Sequence, residues 1–138
     1  GEDAVVLATC GALVPETLAA AELLEAEEGV AATVLCLSSP DRLYHDWQAR
    51  RAAPLHGGTA AASHLEGLVA PEERGLPVVT VIDGASHALS FVGSALGVRS
   101  VPLGVDRFGQ TGSQPELYAE YAIDAASIVT AALIALEP

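Results

Sequence analysis

Leu103-Gly-Val-Asp-Arg-Phe-Gly-Gln-Thr-Gly-Ser113 is the stretch on which the reading of this chain turns. Its three glycines, Gly104, Gly109 and Gly112, suit a connection that needs positive φ or a close approach of backbone to backbone. Phe108 stands among Asp106, Arg107 and Gln110, where neither a helical nor a strand period accounts for it, so it reads as an aromatic anchor. Upstream, Arg99 to Leu103 is a short apolar strand. Downstream, Ser113-Gln-Pro-Glu116 has the serine-to-glutamate spacing of a capping box and opens a short helix ending near Tyr121. A strand that passes through a glycine-rich connection into a helix is the building unit of an α/β sheet.

The same alternation runs back to the first residues. Ala4 to Thr9 and Ala31 to Leu37 are continuous apolar runs, the pattern of strands covered on both faces. Between them Cys10-Gly11 turns the chain, and Pro15 opens a helix to about Glu28 with Ala20, Leu23 and Leu24 on one face and Gly29 as its stop. Glu27 and Glu28 oppose the helix dipole there and read as surface charge. Ser38-Ser39-Pro40 caps and opens a second helix, Asp41 to Ala53. On it Leu43 and Trp47 lie four apart, Arg50 and Arg51 sit near the favoured C-terminal end, and His45 faces away toward solvent. Pro54 to Leu76 keeps no period, and a connection this long is expected to be functional or to hold short elements.

Pro77 to Asp83 is the clearest strand, and Asp83-Gly84 marks its carboxyl end, the edge at which open α/β sheets form sites. Ser86 is placed to cap a helix to Leu96, with Leu89, Val92, Gly93 and Leu96 as one apolar stripe and Gly97 as its end. Gly93 inside that stripe predicts a close neighbour. Asp124 caps a last helix, Ala125 to Leu136, with Val129, Ala132, Leu133 and Leu136 on one face and Ile128 widening it. That helix is apolar nearly all round and is expected to be deeply buried, in this domain or against a neighbour. The whole predicts one three-layer α/β domain over residues 1–138, a mostly parallel sheet of four or five strands with helices on both faces.

Composition narrows the function. Hydrophobic residues make up 51% of the 138 and aromatics 4%, so the interior is aliphatic. Six arginines face eighteen acidic residues, a formal net charge of −12, which disfavours nucleic acid and anionic membrane surfaces as partners. Cys10 and Cys36 each end an apolar run and are expected as buried thiols in a reducing compartment. No run of about 18 apolar residues is legible and the start lacks a signal-peptide pattern, so the expected location is the cytoplasm. The chain holds no methionine, lysine or asparagine, from which it is expected to be a piece excised from a longer multidomain protein.

Residue types rule down several chemistries. A Walker loop needs a lysine, and a dinucleotide fingerprint needs glycines at a spacing that Gly104, Gly109 and Gly112 do not have. No Gly-x-Ser-x-Gly elbow is present. His45, His56, His64 and His87 are scattered without helical zinc spacing, although His56 and His64 share the long connection. His87, four residues after Asp83, is expected in a first helical turn at the carboxyl edge, where the dipole would keep it neutral. No second catalytic group pairs with it in sequence. A small-ligand edge at Asp83, His87 and Asp106 stays open as a reading.

Gly104-Val-Asp-Arg-Phe108-Gly109-Gln-Thr-Gly112, with Leu117-Tyr118, Ile123-Asp124 and the helix from Ile128, resembles the end of the C-terminal domain of transketolase-type thiamine diphosphate enzymes. Val78 to Gly84 and the run from His87 to Gly97 resemble the preceding strand and helix of that family. The segment from Ser38 to Trp47 is closer to the homodimeric pyruvate dehydrogenase decarboxylating component than to transketolase itself. The resemblance implies a five-stranded sheet, four strands parallel and one antiparallel, standing third after two thiamine diphosphate domains.

It also implies where the chemistry is not. In the family the cofactor is held through magnesium by Gly-Asp-Gly and a later asparagine in the first domain, and the activating glutamate belongs to the second. Here Ile82 precedes Asp83-Gly84 and no asparagine exists, so no catalytic, cofactor or metal residue is assigned to this chain. Asp83, His87, Asp106, Arg107 and Phe108 are the expected interface or ligand edge, with Asp106 and Arg107 facing a neighbouring domain. The leading expectation is the non-catalytic C-terminal domain of a 2-oxoacid dehydrogenase component that passes an acyl group to lipoamide. Its partners would be the two missing domains, a homodimeric second subunit and an acyltransferase core. Transketolase is the alternative within the family, and a stand-alone ligand-binding or scaffold module the alternative outside it.

Overall fold

A computed structural model describes residues 3–107 and 112–138. Four strands form one sheet: β1 (Ala4–Thr9), β2 (Ala31–Cys36), β3 (Val78–Val81) and β4 (Ser100–Leu103), in the order β2-β1-β3-β4. Every pairing is parallel, with Val6 opposite both Thr33 and Val78, and Val79 opposite Val101. The expected fifth, antiparallel strand is not found among the described residues. An antiparallel neighbour needs a chain that doubles back along the sheet edge, whereas each strand here is reached through helical crossovers.

The helices are α1 (Val14–Leu23), α2 (Pro40–Ala52), α3 (His64–Leu68), α4 (Phe91–Leu96), α5 (Gln114–Glu120) and α6 (Ala125–Ala135). Strand alternation divides the core in two. Val5, Leu7, Val79 and Val81 point to α1 and α6, meeting Ala20, Leu24 and Ile128. Val6, Ala8 and Val78 point to the other face, meeting Leu43 of α2, Leu65 of α3 and Val92 of α4. The chain steps from β1 to β2 over the first face, then back to β3 and on to β4 over the second. That change of face with change of direction keeps the crossovers right-handed.

Local signals set the helix ends. Pro15 lies in the first turn of α1, which continues through a wider turn, Leu24–Glu28, to Gly29 at φ 65°. The inner residues are Thr17, Ala20 and Leu24, while Leu23 is only half-buried. The long connection holds the short elements it was expected to allow. Ser63 and Glu66 form a reciprocal capping box on α3, and Asp46 of α2 accepts the His64 amide at 2.7 Å, tying the two helices together. The helix expected from Ser86 to Leu96 is broken instead. Ser86–Leu89 is a 3-10 turn, Ser86 caps nothing, and the α-helix begins at Phe91. Gly93 does have its close neighbour: a Cβ there would stand 2.5 Å from the Ser100 Cβ on β4.

Three burial expectations are corrected. Cys36 is exposed and Cys10 half-buried, because β2 is an edge strand whose ends lie open and Cys10 follows the end of β1. The buried stripe of α6 is Ile128, Ala131, Ala132 and Ala135, while Leu133 and Ile134 are exposed. The span 114–135 is long and apolar enough in sum to cross a membrane, yet the chain breaks within it at 121–124. Asp124 caps α6 there by accepting the Ser127 amide at 3.0 Å, and the inner stripe of α6 packs on the sheet.

The break is made by Ala122, at φ 56°, in the left-handed region that favours glycine. Ala122→Gly is therefore expected to stabilise the chain by about 1 kcal/mol, the relief of left-handed strain outweighing the added freedom of the unfolded chain. A thermal melt showing a lower midpoint would contradict this.

Candidate functional site

The direction of travel across the sheet reverses between β1 and β3, so the carboxyl ends of these strands define the topological switch point. Cys10 follows β1 there, and Asp83-Gly84 follow β3. Beside them a cleft of about 430 Å³ is lined by Asp83, Gly84, Ala85, His87, Val105 and Asp106. Three of the residues expected at this edge, Asp83, His87 and Asp106, are thus brought together, all exposed. Phe108, expected as an anchor, lies outside the described residues.

The cleft is held shut at its base by links between the segments after β3 and β4. The Val105 amide donates to the Gly84 carbonyl at 2.6 Å. The Ser86 amide and hydroxyl donate to the two carboxylate oxygens of Asp106 at 2.8 and 2.7 Å. Ser86 is the residue sequence reasoning misplaced: it stands twenty positions from Asp106, and no local pattern announces the pair. Arg107 turns the other way. Its guanidinium meets the Glu120 carboxylate at 3.1 Å, donates to the Glu120 carbonyl and lies 5.9 Å from the Tyr121 ring. Both charges expected to face a neighbouring domain therefore already have partners within this chain.

The electrostatics do not build a reactive centre. Hydrogen bonds from the Ser86 amide and then its hydroxyl, with a small contribution from His87, hold Asp106 below the usual carboxyl range against slight desolvation. Burial first, and the Asp83 charge second, push the Cys10 thiol up, so it stays protonated and is a poor nucleophile. His87 sits in a four-residue 3-10 turn, not at the N-terminus of an extended helix, which removes the dipole argument for its role.

The cleft does not fit thiamine diphosphate with magnesium. Its ionisable side chains are two carboxylates and an imidazole, the chain has no lysine, and Arg107 is turned away into its ion pair. Among the described residues no three His, Cys, Asp or Glu side chains converge on one point. Small polar or cationic ligands suit such an edge better than a diphosphate.

The Asp106 pair gives a pH dependence with a definite sign. In the folded chain this carboxyl releases its proton at lower pH than in the unfolded chain, so between those two values the unfolded state binds more protons. The stabilisation is complete above about pH 4 and is lost as pH falls through the folded value. Asp106→Asn should lose less stability than the unaltered chain on going from neutral pH to about pH 3. Denaturant midpoints at the two pH values measure this, and equal losses would remove Asp106 from the acid response.

Comparison with known proteins covers nearly the whole chain. Residues 1–124 match the family described as the transketolase-like TK C-terminal domain. A solved structure described as a split gene transketolase, inactive β4 tetramer, is similar at a TM-score of 0.65 and 25% identity. That match covers 99% of this chain and 40% of the other, so this chain spans well under half of the transketolase chain it resembles. No curated protein sequence matches. With the family pattern running from the first residue to the cap of α6, the chain belongs to the transketolase-like C-terminal domain family.

Proposed function

We propose that this chain serves as the C-terminal domain of a transketolase-type thiamine diphosphate enzyme, supporting the cofactor-bearing domains and contributing subunit contact instead of chemistry. The observation that carries this reading is an apolar groove of about 350 Å³ between β4 and α6, lined by Val101, Leu103, Ala122, Ala126 and Ile134 among others. Apolar surface left open along a sheet edge is what a neighbouring domain covers. In the parent, thiamine diphosphate and magnesium would be held by the other two domains. The similar solved chain is described as an inactive β4 tetramer, and the corresponding expectation here is assembly without activity when the remaining domains are absent.

Within the family we favour a transketolase parent, because the similar solved chain is a transketolase. The resemblance of Ser38 to Trp47 keeps a 2-oxoacid dehydrogenase component, with its acyltransferase core and homodimer, as the second reading. Acyl transfer to lipoamide by the parent would select that second reading. Titration calorimetry of this chain with thiamine diphosphate and magnesium is expected to show no binding. Micromolar binding would overturn the architectural role, and an upstream coding sequence lacking Gly-Asp-Gly and its asparagine would overturn the family parentage.

A further inference from the structure

The two edges of the sheet are not alike. Along β2 the Ala31 amide bonds the Asp3 carbonyl and the Leu37 amide bonds the Thr9 carbonyl. A residue of a parallel strand turns its N–H and C=O to the same side, so Ala31, Thr33 and Leu35 face β1 while Ala32, Val34 and Cys36 face outward. Among the described residues nothing bonds those outward backbone groups. The six residues of β2 include no charge, proline or glycine, and the four between exposed Ala31 and Cys36 are only half-buried. Glu73 reaches Thr33, but through its side chain on one face, which leaves the outward backbone free. β4 is the contrast. The Val78 amide bonds the Arg99 carbonyl and the Ile82 amide bonds the Leu103 carbonyl, so Ser100 and Pro102 face outward, and Pro102 has no N–H to give. Proline and charge are the devices that blunt a sheet edge, and β4 has one while β2 has neither.

We propose that the outer edge of β2 pairs antiparallel with β2 of a second copy of this chain, across a two-fold axis at Val34. That register sets Val34 opposite Val34 and Ala32 opposite Cys36, so each outward residue on each copy gives one hydrogen bond and takes one, six in all. A slip of two residues leaves one outward residue of each copy unpaired and loses two of the six. The edge itself selects this occupant. Its outward donors and acceptors alternate symmetrically about Val34, and the same strand run in reverse satisfies all of them. β4 of another copy does not, because its outward side is interrupted at Pro102. The pairing also covers the half-exposed Ala32, Val34 and Leu35 side chains. Two four-stranded sheets joined this way make one of eight strands with β4 at both ends, so growth closes at two copies. Charge opposes the contact, since each copy carries a formal −12, and salt should therefore tighten it. It rests on this edge alone and stands whatever the parent enzyme is.

Sedimentation equilibrium of the 138-residue chain and amide exchange read residue by residue test it together. The weight-average mass should rise from 14.0 kDa to a plateau at twice that value, and should do so at lower protein concentration in about 500 mM than in about 50 mM salt. As the dimer forms, exchange at the Ala32, Val34 and Cys36 amides should slow about tenfold or more, whereas Thr33 and Leu35, already bonded to β1, stay slow at every concentration. Val34→Pro removes the central outward N–H where β1 makes no demand on it, and should weaken the dimer about tenfold or more. Circular dichroism checks that this variant folds, and if it does not, the exchange pattern of the unaltered chain decides. A monomer at every concentration, growth past two copies, outward amides that ignore concentration, or a dimer that a folded Val34→Pro chain keeps would overturn the proposal. A dimer lost on Ile134→Asp would lie at the α6 groove and equally overturn it.

Discussion

Gly104→Ala is expected to lower the unfolding free energy by about 3 kcal/mol, at the upper end of what overpacking costs. A Cβ on Gly104 would stand 2.5 Å from the Gly84 carbonyl oxygen and 2.6 Å from both the Ser86 Cα and amide nitrogen. All three are backbone atoms, which cannot rotate away as a flexible side chain would. They belong to the turn that receives Val105 and Asp106, so relief by backbone shift breaks the bonds that hold the cleft together. Gly84→Ala is the control, since its Cβ would meet only Ile82 side-chain atoms, the nearest at 3.8 Å. Urea unfolding should separate the two, with Gly84→Ala within about 1 kcal/mol of the unaltered chain. Similar midpoints for both would mean that the closeness of the two loops does not hold the edge.

This glycine also shows how much of the edge could be read from the chain. Gly104 asks for positive φ or close approach, and the structure selects close approach: its φ is not among the positive ones. The atoms it approaches lie about twenty residues away. Only the strand order, with β3 beside β4, brings them together. β1 and β3 were legible because each is an uninterrupted β-branched or aliphatic run: Ala4 to Thr9 is reproduced residue for residue, and Pro77 to Asp83 shortens at its ends. The capping box at Ser113 and Glu116 was equally plain, and the same signature at Ser63 and Glu66 would have located α3 inside the long connection. The Ser86 to Asp106 pair had no such signal, because it depends on two loops meeting after separate strands.

The electrostatic map of the surface could likewise be summed but not placed. Eighteen acidic groups against six arginines gives the total, and the total argues against polyanions. It does not show that half of the arginines share α2, where Arg51 lies over the Trp47 ring and Arg50 pairs with Asp46. The aromatic content, only 4% of the chain, is also placed unevenly, with Tyr44, Trp47 and Phe91 in one cluster over the second core.

Ile128→Ala should cost about 3 kcal/mol and Leu133→Ala less than about 1, although both remove apolar carbon from the same helix. Two stripes on α6 satisfy the same spacing. One is Val129, Ala132, Leu133 and Leu136; the other is Ile128, Ala131, Ala132 and Ala135, one residue earlier and turned by about 100°. Hydrophobicity alone prefers the first, because it holds two leucines. The sheet takes the second, because three alanines let the helix lie close enough for Ile128 to reach Val79 and Val81, and because the Ala125 amide at its start bonds the Glu16 carboxylate of α1 at 3.2 Å. Ile128 is fully buried and leaves a cavity when cut back, whereas Leu133 is 36% exposed and leaves little. Urea midpoints of the two variants measure the difference, and the reverse order would rotate α6 back to the leucine face. The same geometry leaves Leu133 and Ile134 outward, and Ile134 lines the groove on β4. Ile134→Asp is therefore expected to leave the stability of this chain nearly unchanged while weakening assembly of the parent enzyme, and a variant that unfolds the isolated chain would place that side chain in the core instead.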